Sequence, residues 1–437
     1  MSSTGVAEGF RVVGNLAELS AEDRARLLER SASPDSEIRD VTRRIINRVR
    51  NGGDDALVGL AAELDRVDLK SLEVSRKECE AALAELPAGL RRAMMRAARN
   101  IEAVHRASLP TVVELTPETG IQIVRRPDPL QRVGVYAPGG RAAYPSSVLM
   151  GAIPARVAGV GEVFLCSPPD STGKPASTVL AAAAISGVDR VFAIGGAGAI
   201  AALAYGTETV PRVDRIVGPG NAYVAEAKLQ VSSVVGIDSP AGPSELLVIA
   251  DDTAPPRAIA LEVLAQAEHD PMAVVIVIAL GSETAAAIAQ EIAERLPLQA
   301  RRAIISTALL DRGGLLTVDS LDSAIRFATD FAPEHLLLAC ADPASAAAKI
   351  RSAGTIFLGG TSSVAYGDYM TGANHVLPTG GAARFYSGLS VLDFMRWTTV
   401  QSIDRYAAER LAEDVATFAR AEGLPAHAAA AQTWGRP

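Results

Sequence analysis

A carboxylate and an imidazole stand side by side at Glu334 and His335, where a proline precedes them and an apolar run follows. The run begins at Leu336 and is typical of a buried strand, so the pair would lie at the mouth of that strand. Histidine titrates near physiological pH and is also the commonest neutral metal ligand. The pair is therefore a candidate site for proton transfer.

The other histidines are few, and their neighbours are informative. The chain has 5 histidines, and four of them lie in segments that also supply Gln, Glu or Asp. Gln266 and His269 end a predicted helix and share one face, while Asp368 and His375 lie in a loop and His427 lies near the C-terminus. An exposed polar stripe, ordinary turn chemistry and a solvated tail are the alternatives. If the segments met in space, their nitrogen and oxygen donors would suit zinc or another borderline divalent ion.

Composition is typical of a compact α/β enzyme. The chain has 437 residues, of which 49% are hydrophobic, and its net charge is −8 without a basic block. This length predicts more than one domain, and the acidic balance argues against nucleic acid as a partner. Cys79, Cys166 and Cys340 are far apart, which indicates a reducing compartment. Because no stretch fits a signal peptide or a bilayer span, we expect a cytoplasmic protein without a membrane partner.

Strands and helices alternate along most of the chain. The first hundred residues predict helices, and 111–124 predict a hairpin. The later alternation predicts an α/β fold with two Rossmann-like, doubly wound parallel-sheet domains, a helical N-terminal region and a small C-terminal tail domain. The predicted bounds are 1–30 for the N-terminal helical segment, 31–135 with 245–385 for the first Rossmann-like domain, 136–244 for the second, and 386–437 for the helical tail domain.

Three glycine-rich turns follow predicted strands. They lie at 136–140, 196–201 and 218–221. The second fits the dinucleotide pattern GxGxxA, but no acidic residue ends the next strand at the usual distance, so a tight turn without a ligand remains the alternative. Because ligands of open α/β sheets bind beyond the carboxyl ends of strands, three such turns together favour nucleotide binding.

Ordered motifs along nearly the whole chain resemble those of the histidinol dehydrogenase family. They lie at 139–147, 218–221, 241–245, 266–269, 332–335, 367–369, 374–379 and 425–427. The resemblance implies oxidation of L-histidinol to L-histidine through an aldehyde, with two NAD⁺ as cofactor and one zinc ion per subunit. It also implies a homodimer whose C-terminal tail is exchanged between subunits and reaches the partner's site.

The resemblance also implies roles for individual residues. The implied catalytic residues are Glu334 and His335. The implied zinc ligands are Gln266, His269, Asp368 and His427. The implied substrate contacts are Ser244, Gln266, His269, His335, Asp368, Tyr369, His375, Glu422 and His427. The implied dinucleotide contacts are Tyr136, Gly198 and Asn221.

Two positions depart from the family's pattern. Gly198 stands where the family often has Gln, which alters the grip on the cofactor, and Val364 stands where it often has Glu, which alters the substrate region. Another zinc- and NAD-dependent dehydrogenase, acting on a small polyol or amino alcohol, is therefore an alternative. A non-catalytic metal- or nucleotide-binding protein of the same fold is a third hypothesis, which the presence of Glu334 and His335 disfavours.

Overall fold

The computed structural model describes residues 9–28, 30, 36–139, 143–240 and 242–435. The strands are β1 (Val12–Asn15), β2 (Glu73–Val74), β3 (Val113–Leu115), β4 (Ile121–Pro129), β5 (Arg132–Tyr136), β6 (Glu162–Ser167), β7 (Arg190–Ala193), β8 (Arg215–Val217), β9 (Gly236–Ile237), β10 (Glu245–Ala250), β11 (Val274–Leu280), β12 (Gly314–Val318), β13 (His335–Ala339), β14 (Thr355–Leu358) and β15 (Met395–Ile403). The α-helices are α1 (Ala21–Leu28), α2 (Ser36–Leu60), α3 (Arg76–Glu85), α4 (Ala88–Ala107), α5 (Pro145–Ala158), α6 (Ser177–Ser186), α7 (Gly196–Tyr205), α8 (Ala222–Val231), α9 (Pro256–Ala267), α10 (Ser282–Arg295), α11 (Arg302–Arg312), α12 (Leu321–Phe331), α13 (Pro343–Ala348), α14 (Val364–Tyr369), α15 (Arg405–Ala421) and α16 (Pro425–Gly435).

Two six-stranded sheets organise the chain. Sheet 1 has the order β1-β12-β11-β10-β13-β14 and is parallel throughout, and sheet 2 has the order β2-β7-β6-β5-β8-β9 and is parallel except for β2. Without the edge strands β1 and β2, each sheet has the doubly wound order 3-2-1-4-5. The predicted α/β class with parallel sheets is confirmed.

The strands of sheet 1 are apolar on both faces because helices cover both faces. Along β10, Leu246 and Val248 face one hydrophobic core, while Leu247 and Ile249 face another. This alternation follows from the two-residue period of a strand. A charged residue in such a strand is therefore unusual, and Glu245, its first residue, is nevertheless buried.

A third, antiparallel sheet has the order β15-β4-β3 and includes the predicted hairpin of β3 and β4. After β15 the chain ends in a helical hairpin, α15 and α16. The hairpin has a small core of its own, made by Ala416, Ala419 and Ala428. Within the described ranges, no helix is both long and apolar enough to cross a bilayer.

The packing differs from the predicted domain bounds at three places. Residues 31–135 were expected to join 245–385, but Ile46 of α2 and Met94 of α4 share a core with Val133 of sheet 2. The reason is that β5 is a central strand of sheet 2 and the preceding helices cover that sheet. The N-terminal segment contributes β1 to sheet 1, and the tail region contributes β15 to the third sheet.

Candidate active site

Glu334 and His335 lie at the amino end of β13, a central strand of sheet 1. Helix α12 ends in front of them because Ala332 adopts a left-handed conformation (φ 49°) and Pro333 cannot continue a helix. Positive φ is uncommon for a residue with a side chain, so strain is stored beside the pair. Glu334 is only 6% exposed and His335 only 4%.

The contacts of His335 define its tautomer. Its Nδ1 lies 3.0 Å from the backbone oxygen of Glu245, which can only accept, so Nδ1 carries a proton and donates it. Its Nε2 is buried, has no hydrogen-bond partner among the described residues, and lies 3.6 Å from Oδ1 of Asp368. In the neutral ring this Nε2 has a free lone pair, as a general base requires.

Carboxylates surround the imidazole of His335. Oε2 of Glu334 lies 3.5 Å from Nδ1 and accepts the backbone N–H of Glu245 at 2.7 Å. Burial by itself lowers the pKa of His335, but the charges of Glu334 and Asp368 outweigh burial and raise that pKa to about 10. The imidazolium in turn helps to lower the pKa of Asp368, against the effect of burial.

Asp368 lies on α14, and neighbouring elements direct other predicted residues toward it. His375 donates Nδ1–H to the backbone oxygen of Asp368 at 2.8 Å, since a carbonyl can only accept, and burial lowers the pKa of His375. His269 is close enough for its charge to help lower the pKa of Asp368. Tyr369 is exposed, and partial burial together with the adjacent Asp368 raises the pKa of its hydroxyl.

Helix α9 is joined to α14 by one hydrogen bond. Glu262 of α9 accepts the backbone N–H of Val364, the first residue of α14, at 3.1 Å. Gln266, one turn further along α9, is buried, and its backbone oxygen accepts the N–H of His269 at 3.4 Å. The link therefore brings α9, which carries Gln266 and ends two residues before His269, toward the helix that carries Asp368.

The loop after α14 connects this region to sheet 2. Asn100 of α4 donates to the backbone oxygen of Met370 at 2.7 Å, and Asn374 donates to that of Met150 in α5 at 2.8 Å. His375 follows directly. The site residues of sheet 1 therefore face the helices that cover sheet 2, and Ser244, which precedes β10, is partly buried at the same end of sheet 1.

Two predicted residues are not brought to this cluster within one chain. Glu422 and His427 are exposed at the end of α15 and on α16. No hydrogen bond or ion pair between described residues joins them to Asp368, His335 or Gln266. No group of three or more His, Cys, Asp and Glu side chains within the described ranges is arranged to hold a metal ion. Within one chain, the segment of Gln266 and His269 thus approaches Asp368, whereas His427 remains exposed on α16.

The predicted dinucleotide contacts lie at the carboxyl ends of the strands of sheet 2. The strand order reverses between β5 and β8, which is where open α/β sheets bind ligands. Tyr136 ends β5, and its hydroxyl accepts the N–H of Gly196 at 3.1 Å. Asn221 follows β8 and caps α8 through Oδ1, which accepts the N–H groups of Tyr223 and Val224.

Gly198 has a different environment. It is buried in α7, and a Cβ there would meet Leu60 and Leu57 of α2 at 3.4 and 3.6 Å. The direction of this Cβ assigns the position to helix packing and argues against a side-chain contact with a dinucleotide. Val364 is likewise 4% exposed and belongs to a core of sheet 1, so its side chain does not line the site.

A buried ion pair fixes the turn that holds Asn221. Nζ of Lys228 lies 2.6 Å from Asp238 and also donates to the backbone oxygen of Gly218, while Asp238 accepts the N–H of Gly218 at 2.7 Å. Gly218 needs its positive φ of 115°, and a Cβ there would collide with the backbone oxygen of Tyr136. The two sides of the crevice are therefore packed backbone against backbone.

Residues 140–142 and 241, within the first and third predicted motifs, lie outside the described residues.

Two charged residues near Glu334 and His335 were missed from the sequence. Glu245 contacts both Glu334 and His335, and buried Arg30 lies 2.9 Å from Glu245. A glutamate that opens the apolar run 246–250 was a usable signal for the first. Arg30 gave none, because its partner is far away in the sequence.

Comparison with known proteins agrees with this geometry. The model of the family described as histidinol dehydrogenase matches residues 28–434. The chain belongs to the histidinol dehydrogenase family. It is therefore an oxidoreductase of histidine biosynthesis.

Relatives match nearly the whole length of the chain. Histidinol dehydrogenase of Natronomonas pharaonis is 49% identical over 95% of this chain and 98% of its own, and that of Methanosarcina mazei is 44% identical over 94% and 95%. The crystal structure of histidinol dehydrogenase from Elizabethkingia anophelis superposes with a TM-score of 0.92 at 35% identity and covers 98% of both chains.

Proposed function

We propose that this enzyme oxidises L-histidinol to L-histidine through L-histidinal and reduces two NAD⁺. The observation that carries the proposal is the buried pair Glu334 and His335, in which Nε2 of His335 has no hydrogen-bond partner within the described residues and faces Asp368. Ser244, Tyr369 and His375 would contact the substrate near this point, and Glu422 of the partner subunit would join them. Together they provide a polar site for a small amino alcohol.

Glu334 and His335 would have different roles in the two oxidations: His335 would act as the base in both, and Glu334 would activate water between them. His335 takes the hydroxyl proton at Nε2 while hydride leaves the carbinol carbon for the first NAD⁺, which gives the aldehyde. Glu334 then removes a proton from water as the oxygen attacks the aldehyde carbon, and His335 returns its proton to the aldehyde oxygen, which gives the gem-diol and restores the neutral imidazole. His335 takes a proton from the resulting gem-diol while the second hydride leaves for the second NAD⁺. Each oxidation releases one proton and one hydride.

Zinc fits the donor set. Gln266 supplies an oxygen, His269 a nitrogen and Asp368 a carboxylate, and His427 of the partner subunit would complete four ligands. When bound, zinc would orient the amine and imidazole of the substrate. If Asp368 bound the zinc ion, its carboxylate would raise the pKa of His335 less. That pKa would then be closer to the working pH, as a general base requires.

Sheet 2 is the better of the two sheets for a dinucleotide. At the switch point of sheet 1, Asp251 closes the carboxyl end, because its carboxylate accepts the N–H groups of Ala341 and Thr253 at 2.7 and 2.9 Å. A carboxylate there would also repel phosphate. At the switch point of sheet 2, Tyr136 and Asn221 flank glycine-rich turns and the N-terminus of α8, which favour phosphate binding.

A homodimer with exchanged tails is consistent with the surface. Phe418 is 70% exposed on α15 and Trp434 is 83% exposed on α16, and the separate core of this hairpin leaves it free to pack elsewhere. Large exposed aromatic residues mark interaction surfaces.

A reducing cytoplasmic location is consistent with the buried free thiols of Cys79, Cys166 and Cys340.

The test is the stoichiometry of the reaction. Purified enzyme loaded with zinc is given limiting L-histidinol and excess NAD⁺, and we expect two NADH and one L-histidine for each histidinol. Other small polyols and amino alcohols are compared at the same concentration. A faster reaction with one of them would favour the alternative dehydrogenase, and no NADH from any alcohol would contradict catalysis.

A further inference from the structure

A buried carboxylate that the proposed chemistry does not use lies directly behind the catalytic pair. It belongs to Glu245, whose backbone N–H donates to Oε2 of Glu334 at 2.7 Å and whose backbone oxygen accepts Nδ1–H of His335 at 3.0 Å. One peptide segment therefore orients both catalytic side chains. Any shift of the Glu245 backbone would change the direction of the Glu334 carboxylate. It would also change the hydrogen bond that selects the tautomer of His335.

The side chain of Glu245 anchors this segment. Oε2 lies 2.9 Å from Nη1 of Arg30, with the two side chains 2% and 3% exposed, and Oε1 accepts the N–H of Gly380 at 2.8 Å. Arg30 also stacks on the ring of Phe331 at 3.3 Å and donates to the backbone oxygen of Phe331. Since Phe331 ends α12 shortly before Glu334, Arg30 holds both chain segments that meet at the pair.

The charges explain why an arginine is needed. Burial raises the pKa of Glu245 to about 7, Arg30 opposes this rise, and the neighbouring Glu334 adds to it. Without Arg30, the buried carboxylates of Glu245 and Glu334 would lie close together, and no other cation of the described residues is at ion-pair distance from Glu245. One of them would have to take a proton or move away. Either change would shift the backbone of Glu245 and so disturb its hydrogen bonds to Glu334 and His335.

We propose that Arg30 and Glu245 are positioning residues for the catalytic pair. Their ion pair holds the backbone of Glu245 in the place where it fixes the orientation of Glu334 and the Nδ1–H tautomer of His335. The inference rests on the proposed roles of Glu334 and His335. It adds to the site a residue from the N-terminal segment that touches neither substrate nor cofactor.

The first test compares Arg30→Met, Glu245→Gln and the double variant in the zinc-loaded enzyme. Arg30→Met should lower kcat for both histidinol and histidinal by about 10–10²-fold, the scale of a small misplacement, with KM for NAD⁺ unchanged. The double variant should recover most of this loss, because no unpaired charge remains and the Gln oxygen can still accept from Gly380. Unchanged kcat in Arg30→Met, or no recovery in the double variant, would overturn the proposal.

Two further variants control for folding. Arg190→Met removes a paired arginine of sheet 2, whose bonds to Glu73 are 2.8 and 2.6 Å, and should leave kcat unchanged. If Arg30→Met does not fold, Arg30→Lys replaces it. Lysine keeps the charge but loses the bond to Phe331, so kcat should stay within about 10-fold of the wild type. A larger loss in Arg30→Lys than in the double variant would contradict positioning by charge pairing.

The second test does not need substrate. The chain has 5 histidines, so ¹⁵N-histidine labelling gives a simple NMR spectrum in which His335 is assigned by its loss in His335→Asn. A solvent-protected Nδ1–H signal is expected in the wild type and in Arg190→Met, and it should weaken or exchange rapidly in Arg30→Met. An undisturbed signal in Arg30→Met would refute positioning. Wild-type enzyme that makes no NADH from histidinol would contradict the proposed function instead.

Discussion

At the residue scale, the proposed catalysis depends on Nε2 of His335, which has no proton in the neutral imidazole. Glu245 binds Nδ1–H at 3.0 Å, which leaves Nε2 directed toward Asp368. A base at this point serves both oxidations, because each releases a proton from an oxygen attached to the reacting carbon. Loss of the imidazole should therefore affect both steps.

His335→Asn tests this directly. Asparagine can still donate an N–H toward Glu245 but cannot accept the proton of the alcohol. We expect kcat for histidinol and for histidinal to fall by about 10²–10⁴-fold, with zinc content and melting temperature unchanged. Steady-state NADH formation and metal analysis provide the measurements, and a loss confined to one substrate would assign His335 to that step alone.

Glu334→Gln separates the two steps. The Gln oxygen can still accept the N–H of Glu245, so the backbone contact is retained, but the side chain no longer activates water. Single-turnover NADH formation from histidinol should be spared more than formation from histidinal. Equal losses with both substrates would show that Glu334 has another role.

The sequence revealed these two residues because they are adjacent and open an apolar run. It did not reveal Arg30 and Glu245 as partners, because a buried charge becomes interpretable only when its counter-ion is known. The spacing of Gln266 and His269 predicted a shared helix face, but α9 ends at Ala267, because the chain turns at Glu268 and His269. The approach of this segment to Asp368 depends on the contact between Glu262 and the first residue of α14, which no local pattern contains.

At the element scale, apolar runs predicted the central strands, whereas the edge strands β1, β2, β9 and β15 were missed. Central strands such as β10 and β13 are buried on both faces, and this burial gives a continuous apolar run. β1 pairs with β12, some three hundred positions away, and its short sequence has no such signal. β15 is mostly exposed, so its residues also lack the pattern of a core element.

Helix α7 offers a test of the glycine-rich turn. Gly198→Ala should raise the free energy of unfolding by about 0.4–1 kcal/mol, because the unfolded chain loses freedom and the Cβ finds ordinary contact distances. Gly196→Ala should instead lower it by about 1–2 kcal/mol, since Gly196 has a φ of 61°. Chemical denaturation measures both effects. KM for NAD⁺ should not change in Gly198→Ala. A large increase in this KM would show that position 198 contacts the cofactor.

At the scale of the whole molecule, two sheets of the same strand order have different roles in the proposed enzyme. Sheet 1 presents the proposed catalytic pair at the amino end of β13, while its switch point is closed by Asp251. Sheet 2 keeps its switch point open between β5 and β8. The loop that carries His375 is bound to α4 and α5 through Asn100 and Asn374, so hydride donor and acceptor would meet between the sheets.

His427, one of the four proposed zinc ligands, is exposed on α16 and has no contact with Asp368 among the described residues, so we expect it to come from a second copy. His335→Asn and His427→Asn subunits, each with its own affinity tag, should be inactive as homodimers. After subunit exchange at equal amounts, half of the dimers are mixed, and each contains one site with an intact His335 and an intact His427 of the partner subunit. Activity should therefore rise to about a quarter of the wild-type level. If the tail served its own subunit, doubly tagged dimers would be isolated without any recovered activity, because every site would lack one of the two residues.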